Sequence, residues 1–302
     1  MYDTSDPRSR LMAAAPKVAA HTEFAGAEYG LFYETEPQQT LDRARTWMLR
    51  GQNFLVAHSE ITGGGSLARS QQVDEYVLLL PDRDTLAVIE ANGESLEVDG
   101  FSLVILPPGD SLITLPKGGR ATRIFSTASE DLNMLCANAQ SYAEPHSNVT
   151  PLERWPDPVG GFKIRAYSLD VPPTPGRFGR IFRCTTLMVN CLDPQLGPRD
   201  VTKLSPHHHD DFEQGSLALD GAFTHHLRWP WTVDLNNWRA DEHALVGSPS
   251  LTVIPPPAIH TSRGMEAGLN QLIDIFSPPR IDFSKQGWVL NADEYPLPAA
   301  LA

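Results

Sequence analysis

The residues with the plainest chemical capacity are His207, His208 and His209, followed by Asp210, Asp211, Phe212, Glu213 and Gln214. They are answered further along the chain by Pro255-Pro256-Pro257-Ala258-Ile259-His260. Histidines at i and i+2 of an extended strand share one face, because side chains alternate across a strand. The spacing therefore predicts His207 and His209 side by side, with His260 meeting them from a neighbouring strand. Neutral imidazole suits divalent transition metals, so three of them predict a metal nest. A fourth ligand could come from Glu213 or Gln214, and alternation lets only one of these two neighbours face the nest. The choice sets the charge of the site. A carboxylate beside three imidazoles leaves a divalent ion with one net positive charge, and a carboxamide leaves two. The second site is the stronger Lewis acid and stabilises a trivalent ion less well.

The elements that must position these residues read as short strands divided by Pro, Gly and Asp. The first half offers Asn53–Ala57, Glu75–Leu80, Thr85–Ile89, Ser95–Val98, Leu103–Leu106 and Ser111–Leu115. The second offers a start at Phe162-Lys163-Ile164, then Ile181–Cys184, Leu187–Val189, the histidine strand, Phe223–Leu227, Leu251–Ile254 and Asn270–Phe276. Many short strands with this punctuation predict a sandwich or barrel. Leu41–Arg50 reads as a short helix. Ser129–Tyr142 reads as another, with Ser129 as its N-cap. Residues 145–161 read as a proline-rich linker, and the tail from Ser277 as a segment wrapping the surface or a partner subunit.

Composition bounds the function. The chain has 302 residues, is 41% hydrophobic and carries a formal charge of -13. That charge argues against nucleic acid and anionic membrane surfaces, which need a basic footprint. Cys136, Cys184 and Cys191 are odd in number and scattered, and are expected as buried thiols. No signal-peptide pattern opens the sequence and no apolar run approaches a membrane span, so a cytoplasmic protein is expected.

These motifs resemble the cupin superfamily, whose first motif is G-x5-H-x-H-x3,4-E-x6-G and whose second is G-x5-P-x-G-x2-H-x3-N. His207 and His209 fill the first histidine pair, and Leu217-Ala218-Leu219-Asp220-Gly221 resembles the ending of that motif. Counting back from Gly221 puts Gln214 in the glutamate slot. Counting forward from His209 also allows Glu213, so both stand. Pro255 and Pro257 hold the P-x-G positions, His260 the histidine, and Gly264 the asparagine position. Gly247 leads the second motif by a longer interval than usual. The first half has the same cadence, with Asp74–Leu79 as its first-motif strand. In Leu106-Pro107-Pro108-Gly109-Asp110-Ser111-Leu112, Leu112 stands at the histidine position. Polar Ser70, Gln71 and Gln72 replace the H-x-H pair. The halves read as weak repeats, the mark of a bicupin.

The resemblance implies an all-β chain of two tandem cupin barrels, jelly-roll-like, with a few short helices. It divides the chain into an arm (1–40), whose first thirty or so residues read as an arm or an edge strand, a first barrel with a degenerate metal site (41–128), a linker (129–161), a second barrel with the metal (162–280) and a tail (281–302). It implies one divalent transition metal per chain (Fe, Mn, Ni or Zn), held by His207, His209, Gln214 and His260, with Glu213 the alternative ligand. The expected activity is dioxygenation of a small organic acid, aromatic or sugar-derived. The alternatives are an isomerase or cyclase that uses the metal as a Lewis acid, and a non-catalytic metal- or ligand-binding bicupin. His226, Arg228, Arg263 and Asp274 are further expected around the substrate, Arg263 through a bidentate grip on a carboxylate. A small-molecule substrate and a homo-oligomer, favouring a dimer, complete the expectation.

Overall fold

Each half of the chain pairs a large sheet with a small one. In a computed structural model that describes residues 23–300, the first large sheet has seven strands in the order Arg165–Ser168, Ser102–Leu106, Tyr76–Leu80, Gly118–Ser126, Phe54–Thr62, Ala44–Arg50, Gln39–Leu41. It closes against a four-stranded sheet of Gly65–Gln72, Gly109–Leu115, Leu86–Ala91 and Glu94–Asp99. The second large sheet runs Glu28–Leu31, Ser250–Ile254, Gln214–Asp220, Leu269–Phe276, Met188–Cys191, Arg180–Arg183, with Gln195–Leu196 also paired to Leu269–Phe276. Its small partner is Glu242–Val246, Phe223–Arg228 and Ile259–Gly264. Strand makes up 44% of the protein and helix 6%, which fixes the class as all-β.

Why these segments became strands is visible in their two faces. Tyr76–Leu80 and Ser250–Ile254 are buried at every position, which needs apolar cover on both sides. On one face, Tyr76, Leu78 and Leu80 join the interior of the first barrel with Leu55, Ala57 and Phe125. On the other, Val77 and Leu79 meet Leu217, Leu251, Val253 and Ile275 of the second barrel. The two large sheets thus pack back to back, and a one-residue slip of either would exchange its two faces.

Two strands cross the boundaries read from sequence. Glu28–Leu31, in the segment expected as an arm or an edge strand, is the edge strand of the second barrel's sheet, with Glu28 opposite Val253. Arg165–Ser168, expected at the start of the second barrel, pairs with Ser102–Leu106 of the first, with Arg165 opposite Ile105. Each half lends the other an edge strand, so edges that would otherwise be open are paired.

Three local expectations are corrected. Leu41–Arg50 is a hairpin arm and not a helix: Asp42 and Arg43 turn at positive φ, and Ala44–Arg50 pairs with Phe54–Thr62. Burial on both faces, with Ala44, Thr46 and Met48 on one and Trp47 and Leu49 on the other, overrode the weak helical pattern. Ser129–Tyr142 holds only one α-turn, Glu130–Asn133, and a 3₁₀ turn, Ala139–Tyr142. The Ser129 hydroxyl makes no cap and bonds Gln72 instead. The tail carries a short helix, Ile281–Lys285, and then buries Tyr295. There the Tyr295 hydroxyl donates to Glu75 of the first barrel at 2.9 Å.

All three cysteines are buried and free, and burial pushes the Cys136 and Cys191 thiols up to about 12. Among the described residues no helix is long and apolar enough to cross a membrane.

His58, wholly buried, has its pKa held down to about 3, first by burial and then by Arg120. Its unfolded value is about 6.5, so between these values the unfolded chain binds the extra proton. Stability is therefore expected to fall as pH drops from about 6.5 toward 3. Urea midpoints measured across that window should show it, and His58→Asn should make the slope shallower. An unchanged slope would show that His58 does not govern acid stability.

Candidate metal centre

The three sequence-selected histidines meet, though not by the simple strand alternation expected. His207 forms an isolated antiparallel bridge with His260, through N–O contacts of 3.0 and 2.7 Å. His209 lies in the irregular stretch that follows and precedes the strand Gln214–Asp220. The prolines before His260 and the paired aspartates after His209 break the strand locally. One ligand atom from each of His207, His209 and His260 lies within 4.8 Å of the others. This is the one such His/Cys/Asp/Glu group among the described residues.

The hydrogen bonds fix which atoms point inward. His207 Nδ1 is 3.0 Å from the Ser205 carbonyl, and His260 Nδ1 is 2.9 Å from the Ala258 carbonyl. A carbonyl only accepts, so both Nδ1 atoms carry the proton and Nε2 keeps its lone pair. Burial, with Arg280 and the two other histidines adding to it, holds His209 well below the usual imidazole pKa, so it is neutral.

Gln214 faces this cluster. Its Oε1 is 2.9 Å from His209 Nε2 and 3.3 Å from His260 Nε2. Its Nε2 donates to Ser216 Oγ at 3.0 Å and to Asp274 Oδ1 at 3.1 Å. A carboxylate oxygen accepts only, so Asp274 fixes the amide with its carbonyl toward the histidines. The His260 Nε2 lone pair and the Gln214 carbonyl then face each other as two acceptors. A cation held between them satisfies both, and this donor set fits a divalent transition metal.

Glu213 points the opposite way. Its carboxylate accepts from Gln52 N at 2.6 Å and from Tyr142 Oη at 3.0 Å. It stands 3.6 Å from His146 Nδ1, whose pKa it raises. It fastens the linker to the metal strand from the far side.

A cavity of about 180 Å³ opens over the histidines. Arg280, missed in the sequence, lies in its wall with Phe212, Phe276 and Phe283. The guanidinium is 7% exposed, sits 3.8 Å over the Phe283 ring centre and 5.0 Å from that of Phe212, and pairs with Asp282. The aromatic residues Phe276 and Phe283 flanking it were the only signal in the sequence.

Of the further residues expected near substrate, only Asp274 reaches the cavity. His226, Arg228 and Arg263 lie on the outer face of the small sheet. His226 contacts His243 at 2.8 Å, and Arg228 grips Asp241 at 3.0 Å. His225, the neighbour on the other face, is the one turned inward, with Nδ1 2.8 Å from Ser262 Oγ. Strand alternation decided between the two histidines, and the sequence did not reveal its phase.

Compared with known proteins, the chain matches no family model and no curated sequence. Its fold matches many solved structures. Oxalate decarboxylase of Lactobacillus farciminis in a formate complex aligns over 88% of this chain and 90% of its own, with a TM-score of 0.56 at 12% identity. AerE from Microcystis aeruginosa covers 85% and 99%, at 0.53 and 7%. Oxalate decarboxylase of Bacillus subtilis, studied for its Mn(II) centers, covers 93% and 85%, at 0.53 and 11%. At such identities the likeness is one of architecture: the protein is built as two tandem cupin barrels.

Proposed function

We propose that the protein is a metal-dependent enzyme acting on a small organic acid at the second barrel, with the metal as a Lewis acid. The observation that carries this reading is the convergence of His207, His209, His260 and Gln214 under a small cavity walled by Arg280. His207, His209, His260 and Gln214 would hold the ion. A bound divalent ion supplies Lewis acidity toward a substrate oxygen.

The chain's own residues do the rest. Arg280, whose Nε and Nη2 are taken by Asp282, keeps Nη1 and its permanent charge for a substrate carboxylate. The rings of Phe212, Phe276 and Phe283 exclude water around it and strengthen that contact. Asp274, buried in the cavity wall, can accept a proton released there. The cavity is smaller than the roughly 300–1,000 Å³ usual for drug-sized ligands, which favours an acid of few carbons. The fold neighbours named for oxalate decarboxylation, one solved with formate, support the same size class.

Dioxygenation is the weaker reading. With Gln214 facing the histidines and Glu213 turned away, a divalent site keeps two net positive charges, which disfavours a trivalent state. The metal-loaded protein should therefore turn over a member of a panel of short dicarboxylic, hydroxy and aromatic acids without consuming O₂. Stoichiometric O₂ uptake would restore dioxygenation. Binding of an acid without turnover would leave a non-catalytic bicupin.

Arg280→Met is expected to raise KM for the acid about 10–100-fold, the loss of a charge-assisted hydrogen bond, with metal content unchanged. An unaltered KM would remove Arg280 from substrate binding.

A further inference from the structure

The internal repeat shows what took the place of the metal ligands in the first barrel. Tyr76 lies opposite Leu106 as Gln214 lies opposite Ile254, so Tyr76 is the counterpart of Gln214. Arg123 pairs with Leu78, two residues beyond Tyr76. Asp274 pairs with Ser216, two residues beyond Gln214. Arg123 is thus the counterpart of Asp274. Arg69 lies opposite Ser111 as His207 lies opposite His260. Ser111, not Leu112, holds the histidine position, because the register shifts between Gly109 and Ser111. The Tyr76 and Ser111 hydroxyls bond at 2.7 Å, as Gln214 and His260 approach each other in the second barrel.

One guanidinium, Arg69, therefore stands at a ligand position of the second barrel, and the other, Arg123, at the position of Asp274, which holds the Gln214 amide there. Arg69 is balanced, since Asp131 takes both of its Nη atoms at 2.5 and 2.8 Å. Arg123 is not. It is 6% exposed, and among the described residues it makes no ion pair. Its Nε has no acceptor, and its ring contact is Phe125 at 5.5 Å. Burial pulls its pKa down, and no carboxylate offsets this. A buried charge without a counter-charge is destabilising, and a bound anion would relieve it.

We propose that the first barrel binds a small monovalent anion, a halide or a carboxylate of formate size, against Arg123, with the Tyr76 and Ser111 hydroxyls beside it. The size limit comes from packed apolar neighbours: Ala57 and Leu78 lie opposite Arg123 on the two flanking strands, and its guanidinium stands over the Phe125 ring. The barrel would have exchanged a bound cation for a fixed one, and its ligand class would have turned from metal to anion. This does not depend on the activity of the second barrel.

The test is thermal unfolding of the full-length protein in sodium formate, at constant ionic strength made up with gluconate, an anion too large to enter. Wild type should show a saturable rise of about 2–4 °C. The rise should persist in His260→Ala, which removes the metal site as its source, and vanish in Arg123→Met. No saturable rise in wild type, loss of the rise in His260→Ala, or an equal rise in Arg123→Met would each overturn the proposal. Bromide-soaked crystals of the unaltered protein give a second reading that needs no variant. An anomalous peak in contact with the Arg123 guanidinium supports the site, and an empty position there refutes it.

Discussion

His260→Ala is expected to strip the metal. His260 is 2% exposed, its Nδ1 is tied to the Ala258 carbonyl, and its Nε2 faces Gln214 Oε1. Losing a partner that merely orients a ligand costs about 10–100-fold in metal affinity, and losing the ligand itself should cost more. Elemental analysis should fall from about one equivalent to near zero, and His207→Ala and His209→Ala should behave alike. The fold should survive, because two large sheets packed through Leu217, Val253 and their partners do not depend on an ion. A His260→Ala protein that kept its full metal would refute the ligand set. One that lost the far-ultraviolet signature of strand would show the ion to be structural.

The second large effect separates two adjacent residues. Glu213→Ala should leave metal content unchanged and destabilise the protein by about 2–5 kcal/mol, since Tyr142, Gln52 and His146 lose a shared buried acceptor. Gln214→Ala should do the reverse, weakening the metal with a smaller loss of stability. Gln214→Glu should keep the metal while lowering the charge of the site by one, which makes a trivalent ion easier to reach. Paired denaturation curves and metal analyses of the three variants check this. Metal loss in Glu213→Ala with retention in Gln214→Ala would reverse the assignment.

How much of this could be read in advance depends on what each residue answers to. Tyr76–Leu80 and Ser250–Ile254 announced themselves because both faces are buried, which leaves an unbroken apolar run. The three histidines were legible because a metal nest needs few residues of one kind at fixed spacing. The exchange of Glu28–Leu31 and Arg165–Ser168 between barrels was not, because an edge strand of four residues carries almost no pattern of its own. Sequence alone does not separate His226 from His225, because adjacent residues differ only in phase, and it is His225 that turns inward to Ser262 on the facing strand. Arg280 hid in a proline-rich segment whose fold is dictated by Phe212, Phe276 and Phe283 around it. That Arg69, Ser111 and Tyr76 stand at the first barrel's counterparts of His207, His260 and Gln214 emerged only from strand register, which the bulge at Gly109 had displaced by one residue.

The proposed site is a single metal centre in the second barrel with a carboxamide in its shell. A crystal structure of the metal-loaded protein, with anomalous data at the metal edge, tests it most directly. One peak per chain is expected, bonded by His207, His209 and His260, with Gln214 Oε1 about 2.0–2.2 Å away. A peak bonded by Glu213, or a second peak inside the first barrel, would contradict it.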